Sequence, residues 1–512
     1  MNRPAGTPED RAGLRALVRD EVAALTGGSP PGDEEDLFAL GLDSLDLVRL
    51  VSRLYEVTGA NLRVADVLDR RRVAALAEVL VDRLPAAGAG DTPALRETTA
   101  LGEGQVRLWL DDNIRPEHAL GNVLRVAFRL VGEVDPAALE DALRTVVARH
   151  GALRTAIDAD PDGLPVARPL SVPQALLVRR STTTAPGTDV DQAQRLADEL
   201  TSEVHLDRGP LVAAGITRTA HEVLLVLAVH HAAFDGDSVA ILAREVSGLL
   251  SGRPLTDQPL PYAAFAAAQQ EAPRADLTAR TREWAERFRD LPALAWPDAP
   301  GRAEAAALGE EPVTIAAEHA DRFERQARQL GVSPFVLGLS AFARTVAATT
   351  ATTSLAVCVP HSARDDRRFD DTIGFFVATL PIPVVLPDPG DDLLVSQLDG
   401  TVAEAMRNGD VTLPAILRRL RRRRSSLFQV QFAWSNWPEP SWTVPGVTVE
   451  ELPLRPLATQ YDLTLEVFPR RPGEPLRGVV EFDPTVVAPA VAAELGVGFA
   501  ERFARVAATP AA

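Results

Sequence analysis

The 512-residue chain contains no lysine, one cysteine, two methionines and three tyrosines. Each shortage excludes something. With Cys358 alone, no intrachain disulfide can form and no cysteine-based zinc cluster exists. All 53 basic side chains are arginine, which reads as codon bias toward G and C rather than as mechanism. Against 71 acidic residues they leave a net charge of −18, spread along the chain. That balance argues against nucleic acid, whose phosphates need a basic footprint, and against an anionic membrane surface. Long hydrophobic runs are missing too. The strongest, residues 223–229, is strand-sized, and the opening Met1-Asn2-Arg3-Pro4-Ala5-Gly6 lacks the apolar core of a signal peptide. A soluble cytoplasmic protein with no membrane or nucleic-acid partner is expected. What remains is ordinary globular composition, 46% hydrophobic and 24% charged, in a length that suits about three folded units.

The first 84 residues read as all helical. Leu14, Leu17, Val18 and Val22 mark one amphipathic stripe, closed by Gly27-Gly28 and the Pro30-Pro31-Gly32 turn. A second helix starts at Ser44 with Leu47, Leu50, Val51 and Leu54 on one side. A short turn at 64–68 and a last helix carrying Val73, Leu76, Leu80 and Leu84 follow. Residues 85–93, small and bounded by two prolines, read as a linker. Beyond it strands (123–130, 221–230, 355–360, 376–385, 428–433, 463–468) alternate with helices (136–150, 238–250, most of 261–290, 334–349). Residues 301–309 read as a surface loop. The pattern predicts a four-helix bundle at 1–84, a linker at 85–97, and two α/β lobes at 98–270 and 271–512.

Ser44 falls where the second helix begins, and Ser is a good helix N-cap in its own right. Its surroundings say more. Gly41, Asp43, Ser44 and Leu45 form Gly-x-Asp-Ser-Leu behind an acidic lead-in, Asp33 to Asp36. This segment resembles the attachment motif of acyl and peptidyl carrier proteins. The resemblance implies 4'-phosphopantetheine on Ser44, flanked by Asp43 and Leu45, with a phosphopantetheinyl transferase as partner. A phosphodiester there would meet the positive end of a helix.

A second motif sits where an apolar strand runs out. His230 and His231 are followed by Asp235, Gly236 and a helix. Adjacent histidines on such a loop suit chemistry, although a strand-end His is often a satisfied polar residue and Asp235 or Asp237 can simply cap the helix. The other histidines (118, 150, 205, 221, 319, 361) show no ligand spacing, so no metal is expected. The string His-His-x-x-x-Asp-Gly resembles the core motif of condensation domains of nonribosomal peptide synthetases, in the chloramphenicol-acetyltransferase-like superfamily. Further stretches agree in order: Gln105 to Trp109; Arg149-His150 with Arg154-Thr155; Ile373-Gly374-Phe375-Phe376; Leu427-Phe428-Gln429-Val430; and Tyr461-Asp462. Departures are Ala378, Pro383, the reduced Tyr262 to Gln269 stretch and Leu413-Pro414-Ala415.

The resemblance implies a two-lobed α/β domain with a tunnel around a catalytic His231. Asp235 would shape the loop through an ion pair with Arg364, and His230 and Gly236 would be structural. It further implies an acyltransferase: an aminoacyl or peptidyl group passes from Ser44 to an amine, giving an amide. An adenylation domain acting in trans would load Ser44. The acceptor would be a separate carrier protein or a free small-molecule amine. Rival readings are ester formation onto an alcohol, epimerisation, and a non-catalytic platform that recruits tailoring enzymes. Arg418 to Arg424, Trp434, Trp437 and Cys358 are read as solvated or packing residues.

Overall fold

The computed structural model describes the chain apart from residues 1–10, 27–28, 38–39, 41–49, 52, 55–56, 59, 61, 63–65, 68–69, 85–99, 115, 184–189, 272–275, 300–307, 388–390, 436–439, 456 and 507–512. Ser44, Asp43 and Leu45 lie outside the described residues, as do the linker and nearly all of the expected 301–309 loop.

In the N-terminal region, helices α1 (Arg11–Thr26) and α2 (Val73–Arg83) pack together. Leu14, Val18 and Val22 recur every four residues on α1, and Val73, Leu76, Ala77 and Leu80 make the matching stripe on α2. Leu37, Leu62, Val67 and the helical Leu50, Val51 and Leu54 complete this small core.

Two sheets follow. The first is built from β1 (Val123–Val131), β4 (Leu176–Thr182), β5 (Val212–Arg218), β6 (Glu222–His230) and β11 (Thr448–Leu452), in the order β11-β1-β6-β5-β4. The second uses β7 (Gly309–Ile315), β8 (Ser354–Ser362), β9 (Val377–Val385), β10 (Val430–Trp434), β12 (Leu463–Val467) and β13 (Leu476–Phe482), in the order β7-β13-β12-β10-β8-β9. A hairpin, β2 (Thr155–Ala159) and β3 (Pro165–Pro169), stands apart.

The two lobes do not divide cleanly at residue 270 as expected. Strand β11 comes from the second half yet pairs antiparallel with β1, Ala127 opposite Leu452, closing that edge of the first sheet. Ile373 and Phe375 likewise join the core of the first lobe. The second half of the chain therefore lends segments to the first lobe.

The helices that matter for the site are α3 (Glu103–Ile114), α4 (Pro136–Arg149), α5 (Gly236–Leu250) and α6 (Tyr262–Glu271). Behind the second sheet pack α7 (Ala317–Leu330), α8 (Pro334–Thr349), α9 (Asp391–Arg407) and α10 (Pro489–Val506). Strand alternation gives that sheet two distinct faces. Val430, Phe432, Leu463, Leu465 and Val480 point into the core shared with these helices. Gln431, Thr464, Glu466 and Glu481 line a cavity on the other face. Cys358 is buried in the same core. Among the described residues no single helix is long and apolar enough to cross a membrane.

Candidate active site

Strand β6 lies between β1 and β5, and its apolar run is buried from Val223 to His230. Where it ends, His231 opens a short 3₁₀ turn, His231–Ala233. Its Nδ1 lies 2.6 Å from the Phe234 carbonyl oxygen, which can only accept, so Nδ1 carries the proton. Nε2 keeps its lone pair and makes no hydrogen bond among the described residues. The ring lines a cavity of about 770 Å³ and meets Phe375 edge-on, centroids 4.8 Å apart. Burial pushes the imidazole below its ordinary pKa. Arg107 and His230 push the same way, while the Phe234 carbonyl and Asp235 oppose them.

His230 is held in the opposite tautomer. Its Nδ1 accepts from the Ala232 N–H at 3.1 Å, so Nε2–H donates to Asp112 Oδ2 at 3.0 Å. Asp112 Oδ1 accepts from Asn122, and Asn122 Oδ1 accepts from Gln460 of the second lobe at 2.6 Å. His230 thus ties the turn that carries His231 to both lobes.

Asp235 caps α5 by accepting from Ser238 N–H at 2.9 Å and Ser238 Oγ–H at 2.6 Å. The Arg364 guanidinium reaches both its oxygens, at 3.0 and 3.2 Å. Arg364 Nη1 also donates to the Phe369 and Thr372 carbonyls, at 2.9 and 2.8 Å, and its Nε faces Asp237 at 3.2 Å. Burial, then the Asp235 charge, raise the Asp237 carboxyl against the pull of Arg364. Gly236 lines the cavity at the first position of α5.

The segment 373–376 has no strand ladder to satisfy its backbone, so side chains do. Ile373 N–H donates to His150 Nδ1, Gly374 N–H to Ser238 Oγ, and Phe376 N–H to Asp235 Oδ2. The Tyr262 hydroxyl donates to the Phe375 carbonyl at 2.8 Å. Four consecutive residues are therefore pinned to the loop they cross. A Cβ on Gly374 would lie 2.3 Å from the Tyr262 ring. Gly374→Ala is expected to cost about 1–3 kcal/mol by overpacking, read as a lowered urea midpoint at unchanged slope.

The other motifs serve the frame. Gln105 donates to the Ala232 carbonyl at 2.9 Å, and Arg107 lines the cavity over Phe375. His150 and Arg149 both grip Glu245 of α5. Arg154 ties down the Val147, Leu170 and Ala148 carbonyls. Gln429 and Trp296 both donate to Asp462 Oδ2, at 2.8 and 2.9 Å. Pro414 sits in the first turn of a helix, Leu413–Leu420, capped by Thr412. Arg422 is no solvated tail residue, since it holds the Leu291 carbonyl at 2.6 Å.

Sequence reasoning missed Asp112, Ser238, Phe375 as the ring against His231, and the acidic far side of the cavity. Asp112 lies seven residues after Gln105, on the same face of α3, which was a readable signal. Glu466 and Glu481 were not readable, because acids alternating in a strand look the same facing a tunnel or solvent. Burial raises both. Glu481 is pushed up to about 8, with Glu466 and Glu310 adding to the effect. Among the described residues no cluster of metal-ligating side chains exists.

A buried strand thus delivers a singly protonated histidine into a cavity lined from both sheets of a two-lobed α/β fold. Residues 96–477 match the condensation domain, about three-quarters of the chain, and the chain belongs to that family. Residues 16–80 match the phosphopantetheine attachment site. The protein is a carrier plus condensation didomain of the nonribosomal peptide synthetase type, and its carrier family bears covalent 4'-phosphopantetheine.

Among curated relatives, the probable non-canonical nonribosomal peptide synthetase CymA of Salinispora arenicola is 30% identical over 89% of this chain and 6% of its own length. The dimodular nonribosomal peptide synthase of Bacillus subtilis is 28% identical over 91% and 20%. The antimetabolite synthetase AmbB of Pseudomonas aeruginosa is 31% identical over 79% and 33%. The chain thus spans a third or less of the length of each of these relatives. Among solved structures, the X-domain from teicoplanin biosynthesis superposes with a TM-score of 0.68 at 23% identity, covering 83% of this chain and 97% of that one. The first condensation domain of the calcium-dependent antibiotic synthetase, in complex with a substrate analogue, gives 0.67 at 21%, covering 81% and 97%.

The cavity suits a phosphopantetheine arm. Leu124, Val239, Phe375 and Val377 offer apolar walls for a thin chain, and Thr379, Gln431 and Gln460 offer polar groups for its amides.

Proposed function

We propose that the chain forms amide bonds, passing an aminoacyl or peptidyl group from Ser44 to an acceptor amine in the cavity around His231. Residues 1–84 act as the carrier, 85–97 as the tether, and the remainder as the catalyst. The observation that carries this reading is the free Nε2 of His231, on a ring that lines a cavity between the lobes while Nδ1 is locked on Phe234.

When bound, phosphopantetheine supplies a thioester, whose sulfur leaves readily because a thiol titrates near 8.5. The protein must then position an amine and manage one proton. As the acceptor nitrogen bonds to the acyl carbon it becomes cationic. His231 Nε2 would take that proton and hold it for return to the leaving thiol of the thioester, so that the C–N bond made would balance the C–S bond broken with no net proton consumed. Confining both substrates in one cavity supplies the proximity contribution. Arg364 acts at a distance, by fixing Asp235 and hence the loop. The partners are a phosphopantetheinyl transferase, an adenylation domain, and a loaded acceptor carrier or free amine.

Intact-mass spectrometry tests this. Ser44 is charged from a synthetic aminoacyl-coenzyme A by a phosphopantetheinyl transferase and offered a loaded acceptor carrier, free amines and free alcohols. The expected result is loss of the acyl mass from Ser44 with an equal gain on an amine, and no charging of Ser44→Ala. Transfer to alcohols alone would make the product an ester. Absence of His231-dependent transfer would leave a recruiting platform instead.

A further inference from the structure

An arginine of the carrier reaches across to the second lobe. Arg71 closes the turn just before α2, and its backbone carbonyl accepts from Leu37 N–H at 2.8 Å. Its side chain leaves the carrier. Nη1 meets Asp399 of α9 at 2.9 Å, and Nη2 donates to the Gly331 carbonyl at 2.8 Å. Nε stays with Asp36 of the carrier at 3.2 Å. Gly331 is the left-handed cap of α7, so its carbonyl projects at the α7–α8 corner, free of any continuing helix. Met406, two turns beyond Asp399 on α9, packs against the carrier's own core cluster. Burial raises the Asp399 carboxyl while Arg71 pulls it down, as expected of a contact partly withdrawn from water.

The contact lies on the side of the second lobe away from the cavity. Helices α7, α8 and α9 cover the face of the second sheet that carries Phe432, Leu463 and Leu465. The cavity with His231 opens on the face that carries Gln431, Thr464 and Glu466. The carrier therefore rests behind the sheet, with a helical layer and the sheet itself, each about 10 Å thick, between it and the cavity. Sixteen peptide steps join Leu84 to Ala100. Extended, they reach at most about 55 Å, enough to carry a domain around the sheet edge.

We propose that Arg71, Asp399 and the Gly331 carbonyl form a parking dock for the carrier, and that the carrier must release it to deliver its acyl group. The release step rests on the transfer reading above, whereas the dock itself does not. The dock is a charge-assisted fork with one partner on α9 and the other at the end of α7, so it fixes orientation as well as position. It is also open to solvent at its rim, which keeps it weak enough to open on each cycle.

Asp399→Arg is the cleaner variant, because Arg71 also serves Asp36 inside the carrier. Small-angle scattering on the full chain reads the dock directly. A compact 512-residue chain has a radius of gyration of roughly 24 Å. Asp399→Arg is expected to raise the measured radius by about 2 Å or more, and Asp399→Asn, which keeps an acceptor for Arg71 without the charge, to raise it less. In the mass assay, Asp399→Arg should speed single-turnover transfer about threefold. An unchanged scattering profile in Asp399→Arg, or a larger rise in Asp399→Asn than in Asp399→Arg, overturns the dock. Slower transfer in Asp399→Arg overturns its parking role. If no His231-dependent transfer occurs in any variant, the catalytic reading fails while scattering still decides the dock.

Discussion

His231→Ala is expected to slow single-turnover transfer from Ser44 by about 10²–10⁴-fold, the usual worth of a positioned general base. Folding should be spared, because the ring's polar contact is a single bond to Phe234 within its own turn. The pH profile gives an independent check. The working form is the neutral imidazole, and burial with Arg107 and His230 lowers its pKa. A lowered pKa keeps the base deprotonated further into acid, so the acid limb of the wild-type rate should fall below the ordinary histidine value of about 6.5. Arg107→Gln removes one of the charges opposing protonation and should move that limb upward. A limb above 6.5 in the wild type, or Ala replacement with less than a tenfold effect, would mean that positioning alone carries the reaction.

This much was legible because the loop is local in sequence. Strand, double histidine, Asp235 cap and α5 are contiguous, and each is announced by composition: an unbroken apolar run, two imidazoles, then Asp-Gly before a helical stripe. Asp235 and Arg364 could be paired only through family resemblance, since 129 residues separate them. The helix α7 was not legible. Its buried side is Ala320, Phe323, Gln326 and Ala327, a stripe too small to stand out among charged neighbours. Strand β11 was hidden for the opposite reason. Thr-Val-Glu-Glu-Leu reads as a polar loop, yet it closes the edge of a sheet whose other residues are far away in sequence. The parking contact was invisible for the same reason, since Arg71 and Asp399 lie 328 positions apart.

Arg364→Ala should be the most destabilising substitution near the site, costing about 3–5 kcal/mol, because it strands Asp235 in a place where water cannot replace the lost partner. The side chains of the pair are only 8% and 2% exposed. Asp235 would keep Ser238 and the Phe376 N–H, but the Phe369 and Thr372 carbonyls would lose their shared donor. The guanidinium also lies 4.0 Å over the Phe376 ring, so its removal opens a gap beside the belt that crosses the catalytic loop. Arg364→Lys separates charge from shape. One ammonium can pair with Asp235 but cannot at the same time reach two carbonyls and lie flat on a ring, so it should recover less than half of the loss. Urea unfolding followed by tryptophan fluorescence gives the energies, and the mass assay gives transfer without urea at a temperature where each variant is folded. A frame that only holds the loop predicts that transfer falls with loop order, in the sequence wild type, Lys, Ala. It also predicts that the acid limb set by His231 changes little in the Lys variant, which preserves the local charge. A loss below about 1 kcal/mol in Arg364→Ala would instead place the rigidity of the loop in Ser238, Tyr262 and His150.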